Sequence, residues 1–155
     1  RVTLDAHSPS LSRHNLATIC RLAIEDLSEE HRARITPIFT ASPEIYCDMD
    51  LMRIAVVNLL ENACKHSQAT QSVSLTIKLA EHKALVEVAD LGKGIAPEDL
   101  DHIFKRYYRG SDARQPEGSG LGLYIVQSIA TGHHGRVTVR DNTPCGSVFS
   151  LELPL

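Results

Sequence analysis

The chain has 155 residues, 43% of them hydrophobic and 23% charged, with a net charge of −3. That length fits one domain with a sizeable core, and the acidic balance argues against a nucleic-acid-binding module. No run of about 18 apolar residues occurs, so no membrane contact by this chain is expected.

Residues 1–14 read as an entry segment with a short strand at Val2–Leu4. The opening RVTLDAHSPS lacks both an initiator Met and a signal-peptide pattern, which predicts a piece of a longer chain. Leu16, Ile19, Cys20, Ala23, Ile24 and Leu27 recur at helical spacing and predict a helix over 15–34, with Asn15 or Ser12 as its N-cap. ITPIFT (35–40) and EIYC (44–47) read as short strands around a Ser42-Pro43 turn. Asp48 starts a second helix that runs to about Ser67. SVSLTIKLA (72–80) and ALVEVAD (84–90) alternate with period two and form a hairpin through Glu81-His82-Lys83.

A glycine-containing loop follows, then a short helix from Pro97 to about Phe104. Lys105–Glu117 is charged, lacks periodicity and reads as a mobile lid. GSGLG opens a helix over 121–131, which Gly132 ends. RVTVR (136–140) and SVFSLELP (147–154) close the chain as a hairpin around DNTPCG. Consecutive hairpins without strict βαβ alternation predict an α+β fold: a two-layer sandwich with a mixed, mostly antiparallel sheet and helices on one face. Cys20, Cys47, Cys64 and Cys145 form no C-x-x-C pair and read as reduced, inert core thiols of a cytosolic protein. His133-His134 reads as a solvated loop pair.

Three clusters can carry chemistry. Asn58, Asn62 and Lys65 stand at i, i+4 and i+7, on one face of a helix whose other residues, Ile54 to Leu60 and Ala63, are apolar almost all round. Amides on a buried helix must be satisfied. They either brace nearby loops or face a ligand, where an Asn oxygen suits Mg²⁺ and a lysine suits phosphate. Second, VADLGKGI carries Asp90 to the end of an apolar strand, followed by Gly92 and Gly94. This is either an ordinary turn or a carboxylate accepting the exocyclic amine of adenine, with glycines that let the backbone pass close to a ligand. Third, Gly118, Gly120 and Gly122 open a helix, as a flexible linker or as an anion cradle of free amides. Lys105, Arg106, Arg109 and Arg114 precede them. A protein-kinase reading of Asp90-Leu91-Gly92 fails for want of H-R-D and V-A-I-K elements. No EF-hand, G-x-G-x-x-G or Walker loop fits either.

In order, these elements resemble the ATP-binding catalytic domain of sensor histidine kinases, from the superfamily that includes DNA gyrase, a mismatch-repair protein and a heat-shock chaperone. NLLENACKHS (58–67) is similar to its N box, DLGKG (90–94) to the G1 box, HIFKRYYRG (102–110) to the F box, GSGLGLYIV (118–126) to the G2 box and CGSVFSLELP (145–154) to the closing G3 region. The resemblance implies a Bergerat-type ATP-binding fold over 15–155, with ATP and Mg²⁺ as cofactors. It implies that Asn62 binds Mg²⁺ with Asn58 assisting, that Lys65 reaches phosphate and that Asp90 recognises adenine. His66, Gly92, Gly94, Ile95, Tyr107, Leu121 and Ser147 would complete the nucleotide site. Gly118, Gly120 and Gly122 would shape the phosphate loop, and Arg106 or Arg109 would touch the γ-phosphate. The catalytic set is then Asn58, Lys65, Arg106 and Arg109. His66 stands where the family more often has Tyr, and Tyr107 where it often has Phe.

No H-E-L-R-x-P-like phosphoacceptor box is present, and His7 and His14 lack that context. The implied partners are a dimerisation and histidine-phosphotransfer domain of the same parent protein and a response-regulator receiver domain. The fragment would be cytoplasmic and its parent anchored in the inner membrane. ATP-hydrolysing relatives carry a general-base Glu four residues before the magnesium-binding Asn. This chain has Asn58 there, and an amide cannot take up a proton at neutral pH. That favours a histidine kinase over a stand-alone ATPase or a serine/threonine anti-sigma kinase, and the intact boxes argue against the third alternative, a catalytically degenerate partner-binding module.

Overall fold

The computed structural model describes residues 9–106, 108 and 121–155. The expected strand at Val2–Leu4 and most of the expected lid, with Tyr107, Arg109, Gly118 and Gly120, lie outside the described residues.

The first element of the described residues is β1 (Ser12–Asn15), which leads into α1 (Leu16–Glu25). Asn15 is the N-cap, accepting from the Thr18 amide at 3.0 Å. The helix expected over 15–34 is broken. α1 ends at Glu25, and Ser28 caps a separate short α2 (Glu29–Arg32) by accepting from the His31 amide. Ser28 followed by two glutamates is a local start signal that the apolar periodicity overrode. β2 (Ile35–Phe39) and β3 (Glu44–Cys47) form as expected but do not pair with each other. β3 pairs antiparallel with β1, whereas β2 runs parallel to β4 (Val73–Ala80) at the edge of the main sheet.

That sheet has the order β2-β4-β5-β7-β6, where β5 is Lys83–Ala89, β6 Arg136–Asp141 and β7 Ser147–Pro154. All its pairings except β2–β4 are antiparallel, so the expected mixed, mostly antiparallel sheet is present. Alternation points Val73, Leu75, Ile77, Ala84, Val86, Val88, Phe149, Leu151 and Leu153 into one buried layer. Against it pack α3 (Met49–Lys65) and α4 (Gly122–Gly132), with α1 on α3. Asp48 caps α3 through the Leu51 amide. The expected helix from Pro97 is not one. Residues 96–106 form successive i to i−3 turns, such as His102 N–H to Asp99 O at 2.8 Å. Edge-on stacking of Phe104 on Phe149, at 6.2 Å, holds them to the core.

Two corrections concern side chains. Cys20, Cys47 and Cys64 are buried free thiols, and burial pushes the first two up to about 12 and about 11, so they are inert. Cys145 is exposed and donates to Leu91 O. It sits on the turn between β6 and β7, where the core cannot cover it. His133 is not solvated but buried, since the last turn of α4 carries it inward; His134 is exposed.

Candidate nucleotide site

The site is built where the C-terminal half of α3, the loop after β5 and the N-terminus of α4 converge. α3 buries Leu51, Met52, Ala55, Val56, Leu59, Leu60, Ala63 and Cys64. It is not apolar all round: Ile54 is exposed, and Val57, Asn58, Glu61 and Asn62 are only half-buried. The asparagine stripe therefore lies at the edge of the buried face. Asn58 uses its Nδ2 to donate to Ile54 O at 3.0 Å. Its Oδ1 faces α4, since a Cβ added at Gly122 would lie 3.3 Å from it. Asn62 makes no side-chain hydrogen bond to a described residue, and Lys65 and His66 are exposed at the end of the same helix.

Asp90 follows the last residue of β5 and is 3% exposed. Its Oδ1 accepts from Gly92 N–H at 2.9 Å and from Ser147 N–H at 3.3 Å. Burial raises its carboxyl above the usual range, and those two amides and the nearby His66 offset this only partly. Oδ2 has no partner among the described residues. Since no buried side-chain oxygen or nitrogen there is left unsatisfied, Oδ2 must be reachable from outside the protein.

The backbone around Asp90 is set by close approaches that exclude side chains. A Cβ at Gly92 would stand 1.9 Å from His66 O, so the loop after β5 is pressed onto the C-terminus of α3. Gly92 thus lacks a side chain because the protein's own backbone lies against it. A Cβ at Gly146, whose φ is 94°, would stand 2.0 Å from Asp90 O. Asn142 Nδ2 donates to that same carbonyl at 2.8 Å, and Asp90 N–H to Ser147 O at 2.9 Å. Gly94 and Ile95 continue the loop and are half-buried.

Of the expected lid cations, Lys105 and Arg106 are described. Arg106 lies 5.4 Å over the ring of Tyr124, in the first turn of α4. Beside it, Tyr108 donates from its hydroxyl to the buried Asp99 carboxylate. Asn58, Asn62, Asp90, Gly92, Ser147, Leu121 and Gly122 are thus gathered around one region, with Lys65 and His66 at its rim.

Sequence reading missed Gly146 and Asn142, hidden in what looked like an ordinary hairpin turn. It also missed Arg34, whose guanidinium donates to Cys64 O, Ser67 Oγ, Gln68 O and Gln71 O at 2.7–3.0 Å. That fork clamps the C-terminus of α3 and opposes its dipole. No spacing in the sequence signals this, because the partners lie 30 to 37 residues away.

The model of the histidine kinase-, DNA gyrase B- and HSP90-like ATPase family matches residues 47–155. The sensor histidine kinase RppB of Synechocystis sp. is 38% identical over 120 residues, covering 74% of this chain and 26% of that protein. The sensor-like histidine kinase SenX3 of Mycobacterium tuberculosis is 39% identical over 109 residues, 69% of this chain and 27% of that one. The chain therefore spans about a quarter of the length of these curated relatives. The mycobacterial sensor histidine kinase MprB superposes with a TM-score of 0.81 at 28% identity, covering 92% of this chain and 97% of that one. Full-length ShkA, solved in complex with AMPPNP, gives 0.80 at 26% identity, covering 97% and 33%. With its sheet, its helical layer and its boxes in this order, the chain belongs to the histidine kinase-, DNA gyrase B- and HSP90-like ATPase family, an ATP-binding family.

Proposed function

We propose that this chain is the phosphoryl-donor half of a sensor histidine kinase. It would bind ATP and present the γ-phosphoryl group to a histidine on a separate dimerisation domain, for relay to a response-regulator aspartate. The observation that carries this reading is Asp90: a buried carboxylate with one oxygen fixed by two backbone amides and the other free and reachable. Such an oxygen is an acceptor aimed at a ligand donor, here the exocyclic amine of adenine.

Asn62, Asn58 and Lys65 then lie along α3 toward the phosphates. An amide oxygen is a hard, neutral donor that fits Mg²⁺, and both Asn58 Oδ1 and the Asn62 amide are unspent on described neighbours. Among the described residues no group of three His, Cys, Asp or Glu could hold a metal by itself. The cation would accordingly be shared with the phosphates, neutralising charge that develops on them. The amides at the start of α4, with Gly118, Gly120 and Gly122, would cradle phosphate oxygens, and Arg106 or Arg109 would reach the γ-phosphoryl.

In the reaction a lone pair on the acceptor imidazole attacks the γ-phosphorus, the bond to the β–γ bridging oxygen breaks, and ADP leaves. Such transfers depend on positioning and charge neutralisation. Asn58 stands where a general-base Glu would activate water, and its amide is engaged with Ile54 O. The site is therefore suited to a nucleophile brought in from outside. No helix among the described residues is long and apolar enough to cross a membrane. The dimerisation domain and the membrane anchor would belong to the proposed parent protein, and the response regulator would be its separate partner.

The test is a calorimetric titration with a non-hydrolysable ATP analogue, in Mg²⁺ and then in chelator. Saturable binding that weakens in chelator is expected. A folded sample that binds nothing under either condition would remove the nucleotide-binding reading.

A further inference from the structure

His133 lies outside everything assigned to the nucleotide site, yet it is 4% exposed and both its ring nitrogens are bonded. Nε2 accepts from the backbone N–H of Asp48 at 3.0 Å. Nδ1 must then carry the proton, and it donates to Ile129 O at 2.7 Å. The first bond spans 85 residues and joins the C-terminus of α4 to the N-cap of α3. The second is local to α4. Asp48 is held further by its own carboxylate, which accepts from Leu51 and Ser10 amides.

α3 and α4 run antiparallel and touch at both ends of α4. At one end stands His133 on Asp48; at the other, Gly122 packs on Asn58 Oδ1. Asn58 lies 10 residues beyond Asp48, and Gly122 lies 11 before His133, so each helix carries the constraint over about 15 Å. Helices packed through apolar side chains can rotate or slip a little on one another. A buried hydrogen bond to a backbone amide at one end removes that freedom at the other.

We propose that His133 is a positioning residue for the nucleotide site: its bond to the Asp48 amide fixes the register of α4 on α3, and so sets the N-terminus of α4 against Asn58. The inference rests on the nucleotide-site reading above and adds a residue about 15 Å from it.

Two amide substitutions separate the bond between helices from the local one. In His133→Gln the side-chain oxygen reaches the place of Nε2 and can accept from the Asp48 amide. In His133→Asn the shorter amide can only take the place of Nδ1 and bond Ile129 O. The readout is the dissociation constant of the ATP analogue in Mg²⁺, with folding checked by circular dichroism. If His133 positions the site, Asn weakens binding about tenfold while Gln stays within about threefold of the unsubstituted chain. If His133 only finishes α4, the order reverses or both variants bind normally, and the inference is overturned.

Coupling is reciprocal, so saturating nucleotide must also slow hydrogen exchange at the Asp48 amide of the unsubstituted chain. Unchanged exchange overturns the inference even if neither variant folds. Failure of the unsubstituted chain to bind nucleotide would instead remove the underlying reading.

Discussion

Glu87 and Asp90 are both buried carboxylates at one end of β5, three residues apart, yet they do different work. Strand alternation places them on opposite faces of the sheet. Burial pushes Glu87 up, but hydrogen bonds and attraction from Arg140 and Lys78 more than offset it and hold the carboxyl below its usual value. Burial pushes Asp90 up too, and there only neutral amides and a nearby imidazole answer it, so it stays above. Glu87 has each oxygen occupied by a cation. Asp90 has one oxygen occupied and one reachable. A buried acid saturated by cations is a structural element; one left half-satisfied by the fold is the candidate for a ligand contact.

The largest expected effect that sharpens this contrast is on Asp90→Asn. Its amide oxygen can still accept from Gly92 and Ser147, which turns the NH₂ toward the ligand. Donor then meets donor at the place proposed for the amine of adenine. Binding of the ATP analogue is expected to weaken by about 1–3 kcal/mol, roughly 5–150-fold, with the fold intact. Unchanged affinity in a folded variant would take the adenine role away from Asp90.

How far the sequence disclosed this site follows from how local each signal is. Asp48 as a cap, the Asn58–Asn62–Lys65 stripe and the strands β4, β5, β6 and β7 are periodic or adjacent patterns, and all are found near their expected positions. The break in the first helix was also local, in Ser28 and the glutamates after it, but apolar spacing that continued to Leu27 masked it. What stayed hidden depends on distant partners. The parallel pairing of β2 with β4, the Arg34 clamp, the press of Gly92 on His66 O and the burial of His133 against Asp48 each join segments that the chain does not keep adjacent. The turns at 96–106 are an intermediate case: Pro97 is a good helix start, but the segment is anchored by Phe104 on Phe149 and by Tyr108 on Asp99 instead of by a continuous apolar face.

A smaller effect is expected on the other member of the pair. Glu87→Gln keeps the shape and removes the charge that Arg140 and Lys78 surround. Both cations are about half exposed and can turn to water, so the loss should be about 1 kcal/mol of stability. For a domain of this size that is roughly 2–4 °C in melting temperature. Nucleotide affinity should stay within about twofold, because Glu87 lies on the face away from the helices. A fall in affinity comparable to that of Asp90→Asn would mean the two faces of β5 are not separate in function.

The subtlest difference is in how each acid links stability to pH. Glu87 has its folded value below its unfolded one, so its stabilisation is present above the ordinary glutamate range and is lost as pH falls through the folded value. Asp90 has its folded value above its unfolded one. Between the two the native state binds more protons than the unfolded chain, so this group costs stability as pH rises through that window. Denaturant titrations of the chain and both variants, from about pH 7 to about pH 3, separate the two signs. Relative to the unsubstituted chain, Glu87→Gln should be less stable at neutral pH and converge with it in acid. Asp90→Asn should be no less stable at neutral pH, and any advantage should vanish once Asp90 is protonated. Parallel profiles for the two variants would mean that both acids are held alike. A neutral-pH gain in Asp90→Asn alongside its loss of affinity would show that the fold tolerates a destabilising carboxylate at the position proposed to meet a ligand donor.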